Sequence, residues 1–569
     1  MTPLGETKVR EVEWAGDDHI VIITSAPVAL EGVAMQEMAG AVDIDLNTRK
    51  SFTLLGGSKS YLDAIFGWYG AANIDGVWHP FVGGVSTDRM GNPRADGIVL
   101  PSLYRINLVT GEPKLIGTPG PGSTRWVIGP DGSVVGRSSN GATGRETSLY
   151  AGAGQDQLIF KRPAGQGGDW LAGLGRTPGT LAVAARHGAD QTLREYRLGG
   201  PVEGELLFDG VDADNSVSDR KTGLFLGVTR PAGERMVDPG LQIRLDAAHK
   251  AFPGERSALA AYSSGLDRLV MYTDGPASSG TYWLVDIAKK TAVPIGNARP
   301  EIKASDVAPM RMVNFKAGDG LAMNGLLTLP VGRAPTGLPL VVIPHGGPLT
   351  AGDTPQFYWL AQAFASRGYA VFQPNYRGTE GYGAAFRSAA AGQMGRRMQS
   401  DLSDGVTELV QQGLVDQGRV CIVGTGNGGY AAQAGVTLQH GIYRCAVSVG
   451  GMSDFKAFLN LARMRTADSR LSDYWRQLAP SQDDQGFTEV SPLSHAGEAD
   501  APILLIHGRK DVGVPISQGQ AMDKALRLAG KVVEFMALDD VDSSLTQESG
   551  RQIMLARTMA FVEKYNPPK

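Results

Sequence analysis

The chain has 569 residues, too many for a single hydrophobic core, so two or more domains are expected. Apolar residues make up 42% of it and charged residues 20%, which is typical of a soluble globular protein. With 54 basic and 58 acidic residues the net charge is −4, which excludes the strongly basic surface of proteins that bind nucleic acid or anionic membranes.

The sequence shows no membrane or export signal. No stretch approaches ~18 consecutive apolar residues, and the first residues, MTPLGETKVREVEWAG, lack the apolar core of a signal peptide. We therefore expect a soluble chain that is cytoplasmic as written. Its only two cysteines, Cys421 and Cys445, lie inside apolar runs, which predicts buried free thiols.

The first 300 residues repeat one pattern, in which an aromatic or apolar strand start is followed by a Gly/Asp-rich turn and a β-branched strand. Six copies occur at spacings of 44 to 60 residues, starting at Trp14, Ile74, Trp126, Trp170, Val217 and Tyr262. A four-stranded propeller blade takes ~40–50 residues. Residues 1–300 are therefore predicted to form an all-β propeller of about six to seven blades. A large β-sandwich is the alternative, but the regular spacing favours the propeller.

Beyond residue 300, short apolar runs alternate with helix-like stretches, which predicts a mostly parallel sheet in a doubly wound α/β domain over residues 301–569. Ligands of such a sheet bind at the carboxyl ends of its strands. The predicted strands are the runs LPLVVIPHGG, YAVFQPNY, RVCIVGTG, YRCAVSVGG, APILLIHG and KVVEFMAL.

One of these runs, RVCIVGTGNGGY, leads from a predicted strand through a glycine-dense turn into a predicted helix. The pattern G-x-S-x-G places a catalytic serine at such a turn. Here the pattern would run from Gly424 to Gly428, but the residue at the serine position is Gly426. No other G-x-S-x-G occurs in the chain.

Five segments of the second half resemble the catalytic domain of the prolyl oligopeptidase family of serine peptidases, especially its acylaminoacyl-peptidase-like bacterial branch. The resemblance covers most of residues 311–569 and implies an α/β-hydrolase domain, with the propeller as the family's usual partner domain. In the family's order, the segments are His345-Gly346-Gly347-Pro348, Asn375-Tyr376-Arg377-Gly378, Gly395-Arg396-Arg397-Met398, Gly424 to Tyr430, and LLIHGRKDVGVPISQGQAM (504–522).

The family's mechanism needs a serine, a histidine that takes its proton, and a carboxylate that orients the histidine. The resemblance places Asp511 at the position of the carboxylate. It places Gly426 at the nucleophile position and Ser543, in VEFMALDDVDSSLTQESG (533–550), at the histidine position. The last histidine of the chain is His507, so no histidine follows Asp511 and the standard triad cannot form.

Other parts of the family's site are retained. The resemblance implies an oxyanion hole made by the backbone N–H groups of Asn427, Gly346 and Gly347, and Tyr376 is a candidate pocket residue. For each of these a structural role is the alternative: a tight turn for the glycines, and packing for the tyrosine. His345 and His507 are expected to be hydrogen-bonded supports rather than recruited bases.

Two departures from the family bear on the ligand and on the length of the chain. Relatives that hold a peptide amino terminus use paired glutamates, and this sequence contains no Glu-Glu dipeptide. Family propellers are usually seven-bladed and exported, whereas six repeats and no leader are found here. Either the ring closes with six blades, or a blade and a leader are absent from this version of the sequence.

We expect a prolyl-oligopeptidase-family homologue that is catalytically inactive and retains a peptide-binding cleft, with short peptides or a protein as its partner. The alternative is an active serine-type oligopeptidase or acylaminoacyl peptidase that uses an unorthodox nucleophile. A further alternative is an inactivated copy with no role of its own. No cofactor or metal is predicted, since the scattered histidines lack ligand spacing, and no nucleic acid or membrane partner is expected. The sequence leaves homo-oligomerisation open.

Overall fold

The computed structural model describes most of the chain, and its residues group into two compact units. The first unit comprises Met1–Pro239 and Arg463–Leu471, and the second comprises Gly240–Ala462 and Ser472–Lys569. The predicted domain boundary near residue 300 stays a prediction. The described residues are 7–30, 33–57, 60–87, 100–120, 122, 124–141, 146–152, 157–163, 169–187, 190–200, 203–210, 213, 215–230, 233–347, 352–465 and 469–568.

The first unit is built from small antiparallel sheets, each made by strands that follow one another along the chain. Within the described residues, four of these sheets have four strands and the last has three. Sheet by sheet, the strands are β1 (Lys8–Ala15), β2 (His19–Leu30), β3 (Val33–Asp45) and β4 (Ser51–Thr53); β5 (Trp68–Ile74), β6 (Val77–Gly84), β7 (Ser102–Ile106) and β8 (Pro113–Gly117); β9 (Thr124–Ile128), β10 (Val134–Asn140), β11 (Glu146–Ala151) and β12 (Leu158–Pro163); β13 (Trp170–Leu174), β14 (Thr180–His187), β15 (Asp190–Arg197) and β16 (Glu205–Phe208); β17 (Asn215–Ser218), β18 (Phe225–Thr229) and β19 (Arg235–Met236).

A sixth sheet of this kind lies in the second unit, after one helix. Each of the six predicted repeat starts, from Trp14 to Tyr262, falls in the first strand of one of the six sheets. The elements are α1 (Pro239–Lys250), β20 (Arg256–Tyr262), β21 (Arg268–Gly275), β22 (Ser278–Asp286) and β23 (Thr291–Asn297).

The turn chemistry explains why these strands form hairpins. Between β5 and β6 the chain reverses at Asp75 and Gly76, whose φ angles are 54° and 83°. Two consecutive positive φ values define the type I′ turn, whose twist matches that of the flanking strands and which favours Asp-Gly. The sequence NIDGV therefore encodes the hairpin locally.

The rest of the second unit is a mixed eight-stranded sheet in the order β24-β25-β27-β26-β28-β29-β30-β31. Strand β25 runs antiparallel to both of its neighbours, β24 and β27, and strands β26 to β31 run parallel to one another. The strands are β24 (Met310–Lys316), β25 (Ala322–Thr328), β26 (Leu338–Val342), β27 (Ala370–Asn375), β28 (Val415–Thr425), β29 (Cys445–Val449), β30 (Ile503–Gly508) and β31 (Val533–Leu538).

Helices cover both faces of this sheet because alternate residues of its strands are buried on opposite sides. In β26, Leu340 and Val342 join one core cluster, and Val341 joins the other. The helices are α2 (Trp359–Ser366), α3 (Ala384–Ser388), α4 (Arg397–Gln411), α5 (Asn427–Thr437), α6 (Phe455–Arg465), α7 (Ser469–Leu478), α8 (Asp484–Glu489), α9 (Ser517–Leu528) and α10 (Glu548–Tyr565). In the described part of the chain, 3₁₀ turns occur at Ser264–Leu266, Ala304–Asp306 and Pro492–Glu498.

The six apolar runs predicted as parallel-sheet strands are β26 to β31. The hairpin β24–β25 was not predicted, because β24 alternates buried and exposed residues and so lacks the continuous apolar run of a central strand. Among the described residues, no helix combines the length and the apolar character needed to cross a bilayer.

The expectation of two free thiols is wrong. Cys421 in β28 and Cys445 in β29 are direct neighbours in the parallel register, their Cα atoms are 4.8 Å apart, and they form a disulfide. The sequence did not indicate this pairing, because it depends on which two strands of the sheet are adjacent.

Candidate active site

The candidate nucleophile turn joins β28 to α5. Gly426 lies between them with φ 56° and ψ −117°, a conformation that disfavours any residue with a Cβ. Its N–H donates to the carbonyl of Val449, at the end of β29, at 2.9 Å. This is the strand–turn–helix geometry that the G-x-S-x-G pattern requires, but position 426 carries no side chain and hence no nucleophile.

The space around the turn differs from one glycine to the next. A Cβ added at Gly426 would meet only the Gly346 carbonyl oxygen, at an ordinary contact distance of 3.5 Å. A Cβ at Gly424 would overlap the Gly428 carbonyl, and one at Gly429 would lie 2.9 Å from the Cα of Gly451. The flanking glycines are therefore needed for close packing, whereas position 426 has room for a side chain.

The glycine loop after β26 lies directly beside this turn. The N–H of Asn427 donates to the carbonyl oxygen of Gly346 at 3.3 Å. The Tyr376 hydroxyl lies 3.2 Å from the carbonyl oxygen of His345 and 3.4 Å from that of Gly347, and it accepts a hydrogen bond from Asn427 Nδ2 at 3.0 Å. The structure thus brings Asn427, Gly346, Gly347 and Tyr376 together.

The direction of these hydrogen bonds decides whether the N–H groups of the predicted oxyanion hole are available to a ligand. The carbonyl oxygens of the loop face Tyr376 and Asn427, and the Asn427 N–H is already paired with one of them. A ligand oxygen must therefore displace the Gly346 carbonyl to reach that N–H. The oxyanion-hole role of Asn427, Gly346 and Gly347 stays a prediction, and Pro348 of the same motif lies outside the described residues.

His345 supports the loop. Its ring stacks on Tyr376 with centroids 4.3 Å apart, and its Nε2 lies 2.9 Å from Thr379 Oγ1. The Thr379 hydroxyl donates to the Tyr376 carbonyl, so it accepts from the imidazole N–H. Burial lowers the pKa of His345 to about 4, so the ring is neutral near pH 7.

Asp511 follows β30 and caps a turn. Its Oδ1 accepts hydrogen bonds from the backbone N–H groups of Gly513 and Val514, both at 2.8 Å. Its Oδ2 is 3.8 Å from Nε2 of His507, which itself lies 2.8 Å from the Val514 carbonyl oxygen. Burial lowers the pKa of His507, so this ring too is neutral near pH 7 and donates to a backbone carbonyl.

Ser543, which the resemblance places at the histidine position, lies beside the Asp511 turn. The N–H of Lys510 donates to the Val541 carbonyl at 3.0 Å and so ties together the loops that follow β30 and β31. The Cβ of Ser543 is 3.9 Å from where a Cβ on Gly513 would lie, and the Ser543 side chain is exposed. The loop therefore presents a solvent-exposed hydroxyl where the resemblance implies an imidazole.

Gly450 connects these positions to the nucleophile turn. It directly follows Val449, whose carbonyl accepts the Gly426 N–H, and a Cβ on it would lie 2.9 Å from Asp511 Oδ2. The ends of β28, β29 and β30 thus bring Gly426 and Asp511 to the same edge of the sheet, as expected for a parallel sheet.

A buried ion pair anchors the segment that carries Tyr376. The next residue, Arg377, is 4% exposed and donates from Nη2 and Nε to Asp401, at 2.8 Å each, and Asp401 is fully buried. The Arg377 guanidinium also pairs with Asp319 at 2.9 Å. Two carboxylates therefore fix the backbone immediately beyond Tyr376.

Asp353 is a buried carboxyl residue that no sequence pattern indicated. Its N–H donates to Asn375 Oδ1 at 2.7 Å, and burial raises the pKa of its carboxyl to about 7. Asn375 is fully buried at the end of β27, and its amide also donates to the Tyr382 hydroxyl at 2.8 Å. The neighbouring Asn-Tyr-Arg-Gly motif was the only sequence pattern that indicated a polar cluster here.

Gly395 and Met398, the two ends of the third segment of the resemblance, line a cavity together with Tyr376 and Asn427. Methionine, leucine, tyrosine and alanine residues also line it, and the amide nitrogen of the buried Gln399, another lining residue, has no hydrogen-bond partner. In the part of the chain that the structure describes, no group of three His, Cys, Asp or Glu residues is placed to hold a metal ion.

Comparison with known proteins shows what the second half of the chain is similar to. The model of the prolyl oligopeptidase family matches residues 355–567. Dipeptidyl aminopeptidase BIII of Pseudoxanthomonas mexicana is 28% identical over 342 residues, which cover 58% of this chain and 49% of that protein. Acylamino-acid-releasing enzyme 1 of Oryza sativa subsp. japonica is 26% identical over 212 residues, covering 35% and 26%. The matched regions thus span about half or less of these curated relatives.

Solved structures share the fold along nearly the whole chain. A puromycin-hydrolyzing peptidase of Mycobacterium tuberculosis superposes with a TM-score of 0.71 at 18% identity, covering 99% of this chain and 95% of that one. A puromycin hydrolase gives a TM-score of 0.67 at 17% identity with the same coverage of both chains. The predicted fold class, a propeller followed by an α/β-hydrolase domain, is confirmed. Over residues 355–567 the chain is a homologue of the serine peptidases of the prolyl oligopeptidase family.

Proposed function

We propose that this chain binds peptides at the β28–α5 turn without hydrolysing them. The observation that carries the proposal is Gly426, which keeps the strained backbone of a nucleophile turn but has no side chain. Ser543 at the histidine position means that the general base is absent as well, independently of the nucleophile. Without a nucleophile and its base, the site retains at most the ~10³–10⁴-fold acceleration over water that triad knockouts show.

The remaining groups are suited to a peptide backbone. The Asn427 N–H and the Gly346 carbonyl form a donor and an acceptor side by side, bonded to each other at 3.3 Å. This bond is long, near the upper limit for an N–H···O hydrogen bond. A bound peptide unit offers a carbonyl for the donor and an N–H for the acceptor, so it replaces one weak bond with two.

The relatives make peptides the favoured ligand class. Their printed names describe a dipeptidyl aminopeptidase and acylamino-acid-releasing enzymes. Because the matches span half or less of those proteins, their substrates come to this chain only as part of the proposal. Short peptides with a free or acylated amino terminus are the first ligands to test.

An active oligopeptidase is the second candidate, and one observation favours it. The hydroxyl-bearing Ser543 is exposed beside the carboxylate turn of Asp511. Activating a hydroxyl requires a base, and His507 donates its Nε2–H to Val514 instead. If Ser543 is nevertheless the nucleophile, a serine-directed phosphonate should label it covalently.

The test compares the chain with the double variant Gly426→Ser, Ser543→His, using chromogenic aminoacyl and acyl-peptide substrates. We expect turnover by the double variant only, and loss of that turnover when Asp511→Asn is added. Gly426→Ala with Ser543→His is the matched control, because it adds the Cβ and the histidine without a nucleophile.

Binding is measured separately on the unaltered chain by fluorescence anisotropy, with labelled peptides that the double variant cleaves. Saturable binding of those peptides supports the proposal. Turnover by the unaltered chain that Asp511→Ala abolishes would refute inactivity. Failure to bind any peptide that the double variant cleaves would refute the binding role.

A further inference from the structure

The buried disulfide carries an inference about where this protein matures. Cys421 and Cys445 are both fully buried within the core cluster on one face of the eight-stranded sheet. They face each other in the register of β28 and β29. They are also the only cysteines of the chain, so no alternative intramolecular pairing exists.

We propose that this disulfide forms while the chain folds in an oxidising compartment, through exchange with a thiol–disulfide oxidoreductase. Such bonds persist in extracellular and periplasmic settings, whereas the cytosol keeps thiols reduced. This proposal departs from the expectation that the chain is cytoplasmic as written.

Burial fixes the order of events. Exchange requires a thiolate to reach a sulfur of the oxidoreductase disulfide, and neither cysteine is accessible once the helices cover the sheet. One cysteine thiolate attacks that disulfide and forms a mixed disulfide, and the second thiolate then displaces the oxidoreductase. The cysteine pair loses two electrons and two protons, and the oxidoreductase leaves as a dithiol. Both steps precede closure of the core.

The cross-link also bears on the candidate site. Cys421 lies five residues before Gly426, and Cys445 lies four residues before Val449, which accepts the Gly426 N–H. The bond therefore joins the two strands whose ends set the geometry of the turn. Its formation constrains the intervening segment, which contains all of α5.

The first test counts thiols in the protein isolated from its source cells. The cells are quenched in acid, and the chain is unfolded and treated with a polyethylene-glycol maleimide, with or without prior reduction. We expect no label without reduction and two labels after it, with a matching two-hydrogen gain in intact mass. Two labels without reduction would overturn the proposal.

The second test asks whether the bond is buried and structural, using full-length protein produced under oxidising and under reducing conditions. We expect the oxidised chain to resist a dithiol reductant until denaturant is added. Its melting temperature should exceed that of the reduced chain by roughly 5–10 °C. The double variant Cys421→Ala, Cys445→Ala is the control and should melt at the same temperature under both conditions. Equal melting of the oxidised and reduced native chains, or reduction without denaturant, would refute formation before core closure.

Discussion

Replacing Gly426 by alanine tests whether the turn is still held in a strained conformation. At φ 56° a residue with a Cβ costs ~1–2 kcal/mol. Sterics add little, because the nearest atom to the new Cβ is the Gly346 oxygen at 3.5 Å. The expected loss of stability is therefore about 1–2 kcal/mol, or roughly 2–8 °C in the melting temperature of a domain.

Gly424→Ala is the matched comparison at the same turn. Its new Cβ would overlap the Gly428 carbonyl, so the backbone must shift, at a cost of about 3 kcal/mol or more. Thermal unfolding of both variants and the unaltered chain, measured by calorimetry, distinguishes backbone strain at Gly426 from steric overlap at Gly424. Gly426→Ala melting within 1 °C of the unaltered chain, or as low as Gly424→Ala, would refute the reasoning about this turn.

Three further predictions follow from buried groups. Removing the disulfide with Cys421→Ala and Cys445→Ala should lower the free energy of unfolding by ~3 kcal/mol in denaturant titrations, and an unchanged midpoint would contradict this. The Asp353 carboxyl has a pKa of about 7 in the folded chain and an ordinary, lower pKa in the unfolded chain. Its contribution to the free energy of unfolding is therefore fully present below about pH 4 and is lost as the pH rises through 7. Asp353→Asn should therefore gain stability relative to the unaltered chain between pH 4 and 8, by at most about 4 kcal/mol, whereas parallel pH curves would count against a raised pKa. Asp401→Asn leaves Arg377 buried with only the partly exposed Asp319, and should cost about 3 kcal/mol in urea unfolding; a loss below 0.5 kcal/mol would show that the pair is dispensable.

Local sequence determined the fold class and the residues present at the candidate site. The six repeat starts and the six apolar runs correspond to strands because turn residues and hydrophobic periodicity act over a few residues. That residue 426 is a glycine and that no histidine follows Asp511 are facts of the sequence itself. The antiparallel hairpin β24–β25 was not predicted, because a half-buried strand has fewer consecutive apolar residues than a central strand.

Tertiary structure alone decided the features that depend on distant segments. Cys421 and Cys445 pair because β28 and β29 are adjacent and in register, which no local pattern encodes. The carbonyl of Gly346 points at the Asn427 N–H, and the sequence of a glycine loop does not specify which way its peptide groups face. Asp353 acquires a raised pKa only because folding removes its carboxyl from water beside the end of β27. The sequence alone shows that residue 426 is a glycine and residue 543 a serine, whereas the packing of the loops determines which groups surround them.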